Sequence, residues 1–141
     1  MPTILTVGPY RFFFYSADGG EPPHVHVERE RSSAKFWIHP VVLARSYGWS
    51  LRAVGAQLTD EALVVDLADG RSVSVPLVWY PRLLRASMKE RQQFRLIGSG
   101  EGIHWELLDE DVSVEGIVAG RRSMESAESF RRWLEDRKER A

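Results

Sequence analysis

A chain of 141 residues with 43% hydrophobic residues has the length of one ordinary domain or two very small ones, and enough apolar surface for a core. It contains no cysteine, which excludes a disulfide framework and a thiolate metal site, and its formal net charge of −1 supplies no global attraction to nucleic acid or anionic lipid. No apolar run approaches the roughly 18 uninterrupted residues of a membrane span, and Met1-Pro2-Thr3-Ile4-Leu5 lacks the basic start of a secretory signal, so the expectation is a cytoplasmic protein without membrane association.

In chain order, Tyr10 to Tyr15 is dense in residues that favour strands, and Ser16 to Pro23, carrying Asp18-Gly19-Gly20 and Pro22-Pro23, breaks it as a loop. A second strand is predicted from His24 to Glu28. Past the charged turn Arg29 to Ser32, a third from Ala34 to Ile38 completes an antiparallel meander. Pro40 at a first helical position and Gly48 beyond the end predict a short helix over Pro40 to Tyr47. Leu51 to Leu58 alternates weakly and is expected to add a strand to a central hairpin. In that hairpin, Leu63-Val64-Val65-Asp66-Leu67 and Ser72-Val73-Ser74-Val75 flank Asp69-Gly70, the strongest hairpin signal in the chain. Leu63, Val65 and Leu67 fall on one face with Val73 and Val75 beside them, so this hairpin is expected to organise the core.

Pro81 opens a helical turn through Ala86, and Ser87-Met88-Lys89-Glu90 has capping-box spacing for another through Gln93. Phe94 to Ile97 is predicted as a strand, Gly98 to Gly102 as a flexible loop, Ile103 to Trp105 as an extended piece, and Ser113 as the N-cap of a helix ending at Gly120. In the last helix, Ser126 to Arg140, the residues Ala127, Phe130, Trp133 and Leu134 form one apolar stripe. Burying Phe, Trp and Leu stabilises by about 1.5–3 kcal/mol each, so the stripe must dock somewhere. The expectation is a homodimer with Phe130, Trp133 and Leu134 in the interface. The fold is predicted to be α+β: a small antiparallel β-meander plus helix (1–48) docked on a second antiparallel-sheet-and-helices unit (51–122), then the C-terminal amphipathic helix (123–141).

His24-Val25-His26-Val27-Glu28 is the sharpest candidate for chemistry. As a strand, its period of two puts His24, His26 and Glu28 on one face and Val25 and Val27 towards the core. Two imidazoles and a carboxylate so placed can hold a divalent metal, with His39 as a further ligand, or serve as acid and base in phosphodiester cleavage. The plainer reading is exposed polar side chains on the open face of a sheet. Arg82, Arg85, Lys89, Arg91 and Arg95 form a basic run beside Trp79 and Tyr80 that can hold nucleic-acid phosphates, while Glu101, Glu106, Asp109, Glu110, Asp111 and Glu115 form an acidic one. The favoured reading is that both runs are solvated faces or pair within the fold. Gly98 to Gly102 lacks the Gly-Lys-Ser/Thr ending of a phosphate loop, and no cofactor fingerprint accompanies Trp79, Trp105 and Trp133, so no cofactor is expected beyond that divalent metal.

Residues 1 to about 48, through Gly8-Pro9-Tyr10-Arg11-Phe12-Phe13-Phe14-Tyr15, Glu21-Pro22-Pro23-His24-Val25-His26-Val27 and Ala34-Lys35-Phe36-Trp37, resemble the bacterial domain-of-unknown-function family 4160. Residues from about 51 to 122 resemble the family numbered 2442. The segments that carry this are Leu63 to Arg71, Val75-Pro76-Leu77-Val78-Trp79-Tyr80-Pro81-Arg82-Leu83, and Gly100 to Trp105 through Val114-Glu115-Gly116. Members of the two families are commonly encoded side by side, and the resemblance implies a toxin and antitoxin-like pair, the first family toxin-like and the second antitoxin-like, fused here in one chain. It also implies a truncated first half, because members of that family usually continue into further helical sequence where Trp49-Ser50-Leu51 runs straight into the second. The expected function is a non-catalytic protein-interaction or regulatory module with a protein partner. The alternatives are a metal-dependent nuclease or hydrolase using His24, His26 and Glu28, and a nucleic-acid-binding regulator using the basic run.

Overall fold

Gly8-Pro9, with Gly8 at a φ of 54°, turns strand β1 (Thr3–Val7) back into β2 (Tyr10–Phe13), pairing Leu5 with Phe12 and Val7 with Tyr10. After the loop beyond Tyr15, β3 (His24–Arg29) and β4 (Ser32–Ile38) continue the antiparallel ladder, and β5 (Val41–Ser46) closes it in the order β1-β2-β3-β4-β5. The computed structural model describes residues 3–17, 20–38, 41–46 and 51–140, the backbone alone in 41–46. Two elements differ from expectation. The first strand, Thr3–Val7, is not among the predicted elements, although Gly-Pro between two apolar runs is a turn signal that points to it. Residues 41–46, predicted as helix, are a strand that pairs Ile38 with Val41 and Ala34 with Ser46. Val41-Val42-Leu43 favours extended backbone, and the open edge of β4 offers a ladder of backbone hydrogen bonds that outweighs the local signal of one proline.

In the second unit the central hairpin forms as predicted. Strands β6 (Ala53–Leu58), β7 (Ala62–Leu67) and β8 (Ser72–Pro76) make a three-stranded antiparallel sheet in which Leu63 faces Val75 and Val65 faces Val73. Beyond a 3-10 turn at Leu77–Trp79 come helices α1 (Pro81–Arg85) and α2 (Met88–Arg91). The capping box on α2 is complete: Ser87 Oγ accepts from Glu90 N at 3.2 Å and Glu90 Oε1 accepts from Ser87 N at 2.9 Å. Strands β9 (Arg95–Ile97), β10 (Gly102–Trp105) and β11 (Glu110–Ser113) form a third antiparallel sheet in the order β11-β10-β9. Helix α3 (Val114–Val118) starts on Ser113, whose hydroxyl accepts from Gly116 N at 2.9 Å, and α4 (Ala127–Arg140) is the last element. Leu63, Val65, Leu77, Leu83, Ile103, Trp105, Leu108 and Val114 are fully buried together, with Trp79 and Trp133 packed at the margin. The fold is α+β, and among the described residues no helix is long and apolar enough to cross a membrane.

In the sequence, β11 is visible only as part of an acidic run. Glu110 and Asp111 are poor strand formers, yet both are buried in the ladder against Trp105 and His104. The N-terminal sheet reaches this unit beside them. Ser16 N donates to Asp111 O at 3.3 Å and Met124 N to Ser16 O at 2.6 Å. The Tyr15 ring lies so close to Gly102 that a Cβ there would stand 2.5 Å from the phenol oxygen, so only glycine admits the approach. At this junction Phe13, Tyr15 and Ile97 form a buried apolar cluster separate from the main core.

Candidate functional site

The period of β3 does place His24, His26 and Glu28 on one face, but that face is turned inward. All three are buried, and the two valines between them are half exposed on the other side, the reverse of the expected orientation and of the plainer reading alike. The ladder adds Arg11 and Phe13 from β2 and Lys35 and Trp37 from β4 to the same face. His26 stands between aromatic rings, 5.4 Å from Phe13 and 4.6 Å from Tyr15 between centroids. His24 bonds through Nδ1 to Pro22 O at 2.8 Å, and Lys35 is paired with Glu21. A polar sheet face can be buried only if its charges find partners: Pro22 and Glu21 serve His24 and Lys35 within the N-terminal unit, and the second unit reaches Glu28 through Arg95 and Arg11 through Asp111.

Arg11 carries the junction. Its Nη1 and Nη2 donate to Asp111 Oδ2 and Oδ1 at 3.1 and 2.9 Å, and its Nε donates to Glu28 Oε1 at 3.3 Å. Arg95 Nη2 donates to the same Glu28 oxygen at 2.9 Å. Asp111, wholly buried, also holds His104 through Nδ1 at 2.8 Å, and His104 Nε2 meets Glu106 Oε2 at 2.6 Å. Burial alone would lower the imidazole's pKa, but Asp111 and then Glu106 outweigh both it and the nearby Arg11, and the net shift is upward. With both ring nitrogens engaged by carboxylates and the protonated form favoured, His104 is placed to hold charge rather than to take a proton from a substrate. Burial likewise opposes the charge of Arg11, and Asp111 and Glu28 more than restore it. A cleft of about 370 Å³ opens on the network, lined by Tyr10, Arg11, Glu28, Arg95 and Glu106 among others.

The remaining candidates are dispersed. Among the described residues no group of three or more His, Cys, Asp or Glu side chains is placed to hold a metal ion, and His39 lies outside the described residues. Of the basic run, Arg82 is buried with Glu125 and the carbonyls of Leu108 and Asp109, and Arg91 is buried on the carbonyls of Leu83 and Leu84. Arg85 and Lys89 are exposed, and Arg95 reaches towards Glu28. The five cations therefore form no common surface. In α4, Phe130, Trp133 and Leu134 are half buried. Trp133 docks on the helix's own chain: its Nε1 donates to Leu108 O at 3.1 Å, and Arg137 beside it pairs with Glu90 at 2.7 Å. In the loop Gly98 to Gly102 the Glu101 side chain is buried, its carboxylate packed against Gly98.

Sequence reasoning missed Arg11, His104 and Asp111 as a group. Arg11 and Asp111 stand 100 positions apart, and no periodicity links a β2 arginine to an acidic residue on β11. The sequence shows Asp111 only as one member of an acidic run, which carries no signal that it is buried.

A family model described as "Protein of unknown function (DUF2442)" matches residues 53–123, and one described as "Domain of unknown function (DUF4160)" matches residues 10–56. No curated protein matches the chain. Among solved structures, a protein of unknown function from Rhodospirillum rubrum ATCC 11170 is similar, 28% identical over 58% of this chain and 99% of its own, with a TM-score of 0.48.

Proposed function

The chain belongs to the DUF2442 family, and we propose that it works as a non-catalytic interaction module, a fused toxin and antitoxin-like pair whose second half acts in cis as the lid of the first. The observation that carries this is the burial of His24, His26 and Glu28 on a face closed by Arg95 and by the Arg11–Asp111 fork. Glu28 borders the open cleft, but His24 and His26 do not line it, and a metal site or a general base at those two imidazoles would need access that their burial denies. The buried apolar cluster at the junction is small, Phe13, Tyr15 and Ile97, and the ion network beside it supplies the registry of the sheet on its lid, the best attested use of buried charge pairs.

Two assays bear on the reading. Single-stranded RNA and duplex DNA incubated with the full chain, with and without Mg²⁺ or Mn²⁺, should remain intact. Cleavage that a His24→Ala, His26→Ala double variant abolishes would replace the interaction module by the nuclease. Acylation by diethyl pyrocarbonate should be slow at His24 and His26 in the full chain and faster in Asp111→Ala. Rates at those imidazoles equal to that of a free histidine in the full chain would show that no lid exists.

A further inference from the structure

The face of the N-terminal sheet opposite the lid presents Phe12, Val25, Val27 and Phe36, with Leu5 and Val7 at the β1 edge. The ladder places them side by side: Leu5 on Phe12, Phe12 on Val27, and Val25 on Phe36. None of the six belongs to either apolar cluster, and Leu5 and Val7 are 52% and 54% exposed. The charge at its margin is Arg29, whose guanidinium lies 5.3 Å from the centre of the Tyr10 ring. A sheet that is apolar on one face ordinarily buries that face against another layer, whereas among the described residues the extensive packing of this sheet is with its own strands.

Within residues 1–141 no long segment is left over to provide the layer. The longest stretch outside the described residues is 47–50, and the α4 stripe is already engaged with its own core through Trp133. Five strands at about 4.8 Å and about six residues at about 3.3 Å make a face of roughly 24 by 20 Å. Two such faces brought together remove on the order of 1,000 Å² from water, the size at which a specific interface becomes sustainable. A formal charge of −1 sets up little repulsion between copies. A second copy offers the same width and the same lack of charge, and pairing the face with itself closes at two. We propose that the outer face of the N-terminal sheet is a homodimer interface, two copies stacking sheet on sheet. The proposal is independent of the lid, which occupies the inner face.

Mass in solution, measured by sedimentation or light scattering over a dilution series, tests this with the full chain and three variants. The full chain should run at twice its 16.1 kDa. Val27→Glu, at the centre of the face, and Leu5→Lys, at its exposed rim, should run as monomers or dissociate at a concentration at least about tenfold higher, a loss of about 1.4 kcal/mol. Leu134→Glu, on α4, should remain dimeric. Far-UV circular dichroism reports whether Val27→Glu still folds, and if it does not, Leu5→Lys decides alone because its side chain is half in water already. A full chain that is monomeric throughout overturns the proposal. So does a dimer indifferent to Leu5→Lys and a folded Val27→Glu, or one lost only in Leu134→Glu, which would place the contact on α4.

Discussion

In the second unit Leu63, Val65, Ile103 and Trp105 are fully buried among apolar neighbours, whereas the N-terminal sheet buries His24, His26, Glu28 and Lys35 and leaves Phe12, Val25 and Val27 half exposed. The first arrangement is what a chain does when it closes its own core. In the second the polar face meets Asp111 and Arg95 of the other unit, and the apolar face is the one proposed above to meet a second copy. The comparison separates two kinds of stabilisation. Removing apolar volume should damage the second unit most, and removing charge should damage the junction.

The largest expected effect tests the apolar side. Trp105 is fully buried and donates through Nε1 to Arg91 O at 3.0 Å. Trp105→Ala should therefore destabilise the chain by about 3–5 kcal/mol, read as a lowered midpoint in guanidinium unfolding. A loss below about 1 kcal/mol would mean that the core does not rest on this unit.

A smaller effect tests the charged side through pH. Burial first, and then Glu125 and Asp111 as like charges, push the Glu110 carboxyl up to about 8 against the pull of Arg82. An acid with a raised folded pKa keeps its proton longer when folded, so its penalty is absent below its ordinary 4.5 and grows as pH rises towards about 8. His104, also raised, contributes stability that is complete below its ordinary 6.5 and is lost as pH rises through the folded value. Glu90 works the other way: its hydrogen bond to Arg137 lowers it to about 2, so its contribution is present above 4.5 and lost as pH falls. Stability should therefore peak on the acid side of neutrality. Glu110→Gln keeps the acceptor for Asp111 N and removes the titration, so it should flatten the decline between about pH 4.5 and about pH 8. An unchanged slope in that variant would assign the decline elsewhere.

What was legible in the sequence divides along the same line. The hairpin around Asp69-Gly70, the Ser87 capping box, the Ser113 cap and the α4 helix are local patterns in which neighbouring residues decide the outcome, and they form as predicted. Residues 41–46 depart from prediction because a proline signals a helix start locally, while the open edge of β4 is visible only in three dimensions. The period of β3 correctly puts His24, His26 and Glu28 together, but a period of two cannot say which face is inside. The partners that meet the inner face, Asp111 and Arg95, are both in the other half of the chain.

The claim that the second half closes the polar face of the first rests on Arg11 and Asp111, and a double-mutant cycle on that pair tests it most directly. Unfolding of the full chain, Arg11→Ala, Asp111→Ala and the double variant should give a coupling of about 1.5–3 kcal/mol, because each single variant leaves a buried charge without its partner. Effects that add to within about 0.5 kcal/mol would mean that the two side chains do not meet in solution and that the junction is held, if at all, by something else.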